Sequence, residues 1–391
     1  MKPLLGQRIV EVATYVAAPS GGLALARLGA DVIRIDPLGG ASDHHRWPLA
    51  PGGGSLYWTG LNKGKRSVAL DLRSPRGQEL VTALVTGRGT LLDNTVGWGW
   101  LADERLRELR PDLVHVRVQG RADGGPALDY TVNAAVGVPD LTGPAEFSGP
   151  VNHQLPAWDL LTGSQAATAV LAGLLHRAST GEGSYAEIAL SDVALGAVAD
   201  LGWLGEARLS GQDRPKQGNH IYGSFGTSFR TADGVHVIVV AMTRRQWRAL
   251  QEATGTTEAL SRVGERAGLD LDVEENRYLL RNELVAVLAP WFAERDVDAV
   301  TGAFADTSVL WQRYRSLTEV AADGGHLLEE VHQPGIGPVV TARGAVRWPA
   351  DPPDSVAPAP VLGADTEAVL SEELGLGQAE IAKLVDEGVI R

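Results

Sequence analysis

Asp159 closes the run LPAWD and opens the apolar run LLTGSQAATAVLAGLLHRA. A carboxylate at a helix start can accept backbone N–H bonds and gains from the positive end of the helix dipole. Left unpaired, the same carboxylate can act as a nucleophile in acyl chemistry. Position alone reads as a cap, with catalysis as the alternative. Two further candidates are weaker. Pro51 to Ser55 (PGGGS) is rich enough in glycine to cradle a phosphate but follows no strand. His44 and His45 suggest a metal pair, yet adjacent residues do not share a helical face, and two surface histidines in a loop is the plainer account. The chain has no cysteine, which excludes disulfides, thiolate zinc sites, iron–sulfur clusters and a cysteine nucleophile together. It contains no Walker loop, no GxGxxG after the first strand, no HExxH and no GxSxG.

The elements that must position Asp159 can be read from hydrophobic pattern. Arg8 to Val12 (RIVEV) and Val32 to Ile35 (VIRI) read as strands joined by a helix from about Pro19 through Ala26, a parallel βαβ unit. SVALDL (Ser67 to Leu72), GTLLDN (Gly89 to Asn94) and LVHVRV (Leu113 to Val118) are further strands, and Ser74-Pro75 starts a helix with proline at its first position. Leu160 to Ala178 is long enough for about five helical turns and nearly uncharged, which predicts a helix buried all round. Tyr185 to Leu190 (YAEIAL) is a strand running into another helix. After a joint at Gly211 to Gly226 the texture changes: TADGVHVIVV (Thr231 to Val240) is a hairpin arm with an Asp-Gly turn, followed by an amphipathic helix around Gln246 to Thr254 and charged helices to about Leu317. Ala350 to Pro360 reads as an extended strap.

Composition bounds the function. At 391 residues two domains are expected, and 44% hydrophobic content can build a substantial core. A formal charge of -13 argues against nucleic acid or an anionic membrane as partner, so any anionic ligand must meet local positive charge. Gly6, Gln7, Arg8 and Glu11 interrupt the first apolar run, no stretch of about 18 apolar residues occurs, and a soluble cytoplasmic protein is the expectation.

Several separated motifs carry a resemblance: RIVEVATYVAAPSGGLALARLGADVIRID, NKGKRSVALDLRSPRGQEL, LLDN, WDLLTGSQAATAVLAGLLHRASTGEGSYAEIALSD and GADTEAVL. In this order, over nearly the whole chain, they resemble the family III CoA-transferases. The resemblance implies an α/β fold with a Rossmann-like large domain built from both chain ends, here 1–210 and 321–391, and a smaller α+β domain at 217–320. It implies an interlocked homodimer and an acyl-CoA substrate, with coenzyme A entering as part of that substrate and no other cofactor or metal. It also makes Asp159 the nucleophile.

In the racemase branch of this family a histidine and a glutamate act as bases. Leu128 and Thr243 stand at those places here, which disfavours proton shuttling at an α-carbon. The pieces YVAAP, NKGKRS, DYTVN, VNHQLPAWD, RPKQGN and QPGIG resemble more narrowly the branch that moves CoA between the C1 and C4 carboxylates of mesaconate. Intermolecular transfer to a separate acid is the alternative. By the resemblance, Val16, Arg34, Leu70, Arg73, Asn94 and Thr95 would contact CoA, with Arg34 and Arg73 on its phosphates. Pro37 replaces a basic residue common after the second strand. Tyr130, Asn133, His153 and Tyr222 would contact the acyl group, Gly218 and Asn219 would form a lid, and N–H groups at the helix start after Asp159 would hold the oxyanion.

Overall fold

The computed structural model describes residues 1–351 and 355–391, so Pro352, Pro353 and Asp354 of the strap lie outside the described residues. All six predicted strands form: β1 (Arg8–Val12), β2 (Asp31–Pro37), β3 (Arg66–Leu70), β4 (Thr90–Asp93), β5 (Val114–Gln119) and β6 (Ser184–Ala189). They make one all-parallel sheet in the order β3-β2-β1-β4-β5-β6. This is the doubly wound Rossmann order, in which strand succession reverses between β1 and β4 and a crevice opens beyond their carboxyl ends. The helices in chain order are α1 (Ala17–Arg27), α2 (Leu56–Leu61), α3 (Pro75–Arg88), α4 (Asp103–Leu109), α5 (Asp129–Ala135), α6 (Val138–Leu141), α7 (Ala157–Thr180), α8 (Leu190–Asp200) and α9 (Trp203–Ser210).

A parallel sheet buries both faces, and alternation in the strands divides them. Val10, Ile33, Val68 and Leu91 pack with Leu80, Leu84 and Val85 of α3, while Ile9, Val32, Leu92 and Val116 pack with Ala18 and Leu25 of α1 and Ala166 and Val170 of α7. α7 is not buried all round. Its covered stripe is Thr162, Gly163, Ala166, Ala167, Val170 and Gly173, the spacing of one helical face, and Leu175 on another face is 72% exposed. Small residues on the covered stripe, rather than general apolarity, are what let α7 sit close to the sheet and α1.

The chain divides into two compact units, one of Met1–Gly137, Asn152–Gln212 and Gly324–Arg391, the other of Val138–Val151 and Asp213–Asp323. The excursion Val138–Val151 departs from the sequence reading, which kept 1–210 together. Gly137 at φ +80 breaks the helical path after α5, and Lys216 holds the excursion by donating to the carbonyls of Thr142 at 2.8 Å and of Gly149. The second unit contains an antiparallel sheet β7-β8-β9 (Phe225–Arg230, His236–Ala241, Leu310–Arg313) with Asp233-Gly234 in the β7–β8 turn. Helices α10 (Arg244–Thr254) to α15 (Leu317–Asp323) surround it, over a core that includes Phe225, Val237, Trp247, Leu284 and Phe292.

The last segment returns to the first unit as a two-stranded ribbon, β10 (Leu328–Gln333) and β11 (Gly337–Ala342), then α16 (Thr366–Leu374) and α17 (Gln378–Asp386). It closes the free edge of β3. The N–H of Ser67 donates to Asp365, that of Ala69 to Thr366 Oγ1, and that of Asp71 to the Val389 carbonyl. The strap residue Ala359 is pinned in both directions by the Gln333 amide. Among the described residues no helix is long and apolar enough to cross a membrane.

Candidate active site

Pro156 precedes α7 and has no side chain that can satisfy the first orphan N–H groups of the helix. Asp129, the first residue of α5, does so from outside. Its Oδ2 accepts from Trp158 N–H at 2.7 Å and Asp159 N–H at 3.1 Å, while its Oδ1 accepts from His153 Nε2 at 2.6 Å. Four residues on, and therefore on the same face of α5, Asn133 Oδ1 accepts from the Trp158 ring N–H at 3.0 Å and its Nδ2 donates to Asn152 at 2.9 Å. Two side chains one helical turn apart thus grip the segment Asn152 to Asp159 through five hydrogen bonds to four residues. The remaining first-turn donors are also engaged, Ala157 N–H with the Leu155 carbonyl and Leu160 N–H with that of Pro156. The expected oxyanion donors at this helix start are therefore occupied.

Asp159 is neither cap nor ion pair. It stands in the third position of α7, partly buried, and burial followed by repulsion from Asp129 raises its carboxyl to about 6. Near neutrality it is an ionised carboxylate with no hydrogen-bond or ion-pair partner among the described residues, the state a nucleophile requires. One turn further along α7, Gly163 abuts α1: a β-carbon there would lie 2.6 Å from the Ala17 carbonyl and 1.9 Å from Ser20 Oγ, and one on Gly21 would lie 2.9 Å from the Gly163 carbonyl. This close crossing brings the start of α7 over the start of α1, where Val16 supplies no capping side chain.

Tyr57, on α2, feels the Asp159 charge, and mainly through burial its hydroxyl is pushed up to about 12, so it remains a neutral donor. Ser55, the end of PGGGS, fixes that helix by accepting Trp58 N–H at 3.1 Å; the loop is a turn and a cap. Arg46 is exposed, with its guanidinium 5.3 Å from the Tyr57 ring centroid and 5.6 Å from that of Tyr15. Tyr15 is held at φ +66, uncommon for a residue with a side chain. Its N–H donates to Asp43 Oδ2 at 2.9 Å, and Ser42 Oγ donates to its hydroxyl at 2.9 Å.

Arg34, expected on the CoA phosphates, stands beneath this turn with its guanidinium turned to protein carboxylates. It is fully buried, bound to Asp36 at 2.9 Å, Asp43 at 3.0 Å and Glu11 at 3.2 Å. Glu11 is shared with buried Lys65, whose ammonium burial lowers to about 8. Glu11 fits only because Gly22 is opposite: a β-carbon there would be 1.7 Å from Oε2. Through Asp43 this network supports the Tyr15 turn, so Arg34 is a positioning residue. Leu70 is likewise buried, in the sheet core, with its carbonyl bound by Leu38 N–H.

Val16 is buried at the first β–α junction. Asn94 bridges that junction to the end of β4, accepting Thr14 N–H at 3.1 Å and donating to its carbonyl at 3.0 Å. Thr95 donates to Asp93 at 2.7 Å, and Arg73 is exposed beyond β3. Tyr130 is 42% exposed beside the clamp with its hydroxyl on the Gln154 carbonyl, whereas Asn133 is fully buried and His153 is bound to Asp129, so these two hold the segment in place. Gly218, Asn219 and Tyr222 belong to the second unit. Gly218 lies at φ +61 with its N–H on the Gly143 carbonyl, Asn219 donates to Ser228 at 3.0 Å, and Tyr222 packs on Tyr278 under the Arg214 guanidinium. Leu128 is exposed at the start of α5, and Thr243 caps α10 by accepting Gln246 N–H. His44 packs edge-on against Trp58, His45 meets the Gly39 carbonyl, and among the described residues no group of three or more histidines and carboxylates could hold a metal.

The sequence reading missed Asp129, Tyr57 and Arg46. The spacing DYTVN, with acid and amide four apart on one helical face, was the available signal for Asp129. Nothing local marks Tyr57 or Arg46, which meet through tertiary packing.

The chain is 45% identical over its whole length, and 98% of the relative's, to 2-methylfumaryl-CoA isomerase of Chloroflexus aurantiacus. It is 28% identical over its whole length to succinyl-CoA:glutarate CoA-transferase of Mus musculus, covering 91% of that protein. Among solved structures it resembles a CaiB/BaiF family protein from Brucella suis, with TM-score 0.78 and 24% identity over 95% of this chain and 99% of that one. Residues 4–366 match the family model of CoA-transferase family III, and the chain belongs to that family.

Proposed function

We propose that this chain converts mesaconyl-C1-CoA (2-methylfumaryl-CoA) to its C4 isomer by intramolecular CoA transfer, with Asp159 as the nucleophile. The reading rests on one observation above others: Asp159 is a carboxylate unpaired among the described residues, ionised near neutrality, at a helix start whose donors another residue has already satisfied. The full-length similarity to an isomerase of this acyl-CoA supports the substrate.

Asp159 attacks the C1 thioester carbonyl, expelling CoA thiolate and leaving a mixed anhydride. The thiolate attacks the aspartyl carbonyl, which frees mesaconate and leaves an aspartyl-CoA thioester. The C4 carboxylate then attacks that thioester, and the same two steps run in reverse. Retention of the free dicarboxylate between the halves gives the second attack a high effective molarity. Arg46, exposed and braced by Tyr15 and Tyr57, is the cation suited to hold the spectator carboxylate, and Tyr57 can donate to the tetrahedral oxyanion. The uncapped start of α1 supplies further donors in place of those expected at α7.

The reaction needs no cofactor beyond the CoA its substrate carries, and a cytoplasmic setting suits that substrate. A homodimer, interlocked as the resemblance implies, would cover α9, which buries none of its residues and leaves Leu209 91% exposed. Mass spectrometry of the protein with mesaconyl-C1-CoA tests the chemistry. Formation of the C4 ester without added acid, and its loss in Asp159→Ala, is the expected result. An adduct at Asp159 with no isomer until a second acid is supplied would instead establish intermolecular transfer.

A further inference from the structure

Arg34, one of the two arginines expected on the CoA phosphates, is buried among carboxylates, and the crevice carries another feature suited to the nucleotide. Asp93 ends β4, and the chain continues as Asn94, Thr95, Val96, Gly97, Trp98, Gly99 and Trp100. Asn94 ties this loop to the β1–α1 turn across the point where the strand order reverses. Gly97 at φ +83 and the Trp98 N–H bond to the Thr95 carbonyl at 3.2 Å close it into a tight turn. Trp98 lies stacked on Trp100, centroids 5.4 Å apart and planes 28° apart, and Trp100 packs on the core under α3 and α4. Trp98 nevertheless stays 39% exposed, with Val96 beside it 42% exposed. An indole braced from behind by a second, core-anchored indole is a rigid aromatic platform, costly to leave in water and suited to a flat heteroaromatic ring. Its place at the carboxyl end of β4, beside the switch point, is where this sheet topology receives nucleotides.

From this arrangement we propose that Trp98, braced by Trp100, is the platform on which the adenine of the CoA ester stacks. Arg73, exposed at the carboxyl end of β3, remains for the phosphates. The proposal rests on the reading of the chain as an acyl-CoA enzyme, and it can be tested separately from that reading.

Trp98→Ala and Trp98→Phe are compared with the unaltered chain on mesaconyl-C1-CoA and on the matching N-acetylcysteamine thioester, which lacks the nucleotide. Matched thermal melts establish that the variants fold. Intrinsic fluorescence is titrated with CoA alone in all three proteins. The expected result is that Trp98→Ala lowers the ratio of kcat/KM for the two esters about tenfold, Trp98→Phe lowers it less, and CoA quenches a component of the fluorescence that Trp98→Ala abolishes. An unchanged ratio, or a CoA quench identical in Trp98→Ala, overturns the platform. If CoA quenches Trp98 but neither ester reacts, the isomerase reading fails and the platform stands.

Discussion

Asp129 accepts a hydrogen bond from the backbone N–H of Asp159 at 3.1 Å while its charge opposes ionisation of the Asp159 side chain. One carboxylate therefore fixes where the other stands and sets how readily it ionises. The groups that bear on Asp159 are Asp129 from α5 and Tyr57 from α2.

Transfer requires ionised Asp159, so kcat should rise through about pH 6. Asp129→Asn keeps an acceptor for the N–H bonds but removes the like charge, so the acid limb should move to lower pH. It should not return to the ordinary carboxylate range, because burial is the larger cause. Asp129→Ala also loses the cap, with a stability loss of about 1–2 kcal/mol and a kcat reduced by up to about a hundredfold. A limb that stays in place in Asp129→Asn would sink the coupling.

Asp159 should be a burden on the fold. Its native value is raised to about 6 against about 3.9 in an unfolded chain, so its protonation favours the native state below the unfolded value, and that advantage is lost as pH rises through 6. Asp159→Asn should thus be more stable than the parent at pH 8, by about 1–2 kcal/mol after solvent screening is allowed for, and equal to it near pH 4. Urea unfolding at the two pH values measures this, and equal stability at pH 8 would contradict it.

Arg34 and Arg73 should separate. Removing the Arg34 side chain leaves the buried carboxylates of Asp36, Asp43 and Glu11 undercompensated, and Arg34→Ala should lose about 3–5 kcal/mol in denaturant. Arg73→Ala should leave the unfolding midpoint in place and raise KM for CoA esters several-fold. The opposite pattern would restore Arg34 as a phosphate ligand.

Gly163→Ala should force α1 and α7 apart, because the Ala17 carbonyl at 2.6 Å is backbone and cannot turn away. A loss of about 1–3 kcal/mol with a marked fall in kcat is expected. Gly87→Ala in α3, where a β-carbon meets nothing within 4 Å, should raise stability by about 0.5–1 kcal/mol. Thermal melts of the pair distinguish close approach from helix propensity.

Hydrophobic alternation and proline placement sufficed for all six strands of the main sheet and for Pro75 at the start of α3, because those signals are local. Asp159 was legible as the start of α7, and as a nucleophile only through the family resemblance; the cap that its position alone suggested is supplied instead by a residue on another helix, since Pro156 carries no capping side chain. Arg34 was misread because a strand covered on both faces has no surface side. Glu11, its register partner on β1, and Asp36, two residues on, were the cues that it is paired inside. Val138–Val151 was assigned to the wrong unit because Lys216, far along the chain, decides its packing. Tyr57 and Arg46 depend on long-range packing that no window of sequence displays.

The order of events in folding follows from the remote cap. Asp129 is 30 positions upstream of the amide it caps, so α7 cannot finish its own beginning from local sequence. The body of the helix can form on small-residue packing against α1, but its first turn should stay ragged until α5 docks. The Trp158 and Asp159 amides should therefore gain protection from hydrogen exchange together with Asn133, later than the centre of α7. A chain arrested before that docking would hold a formed sheet and a long helix, and still have no reactive centre.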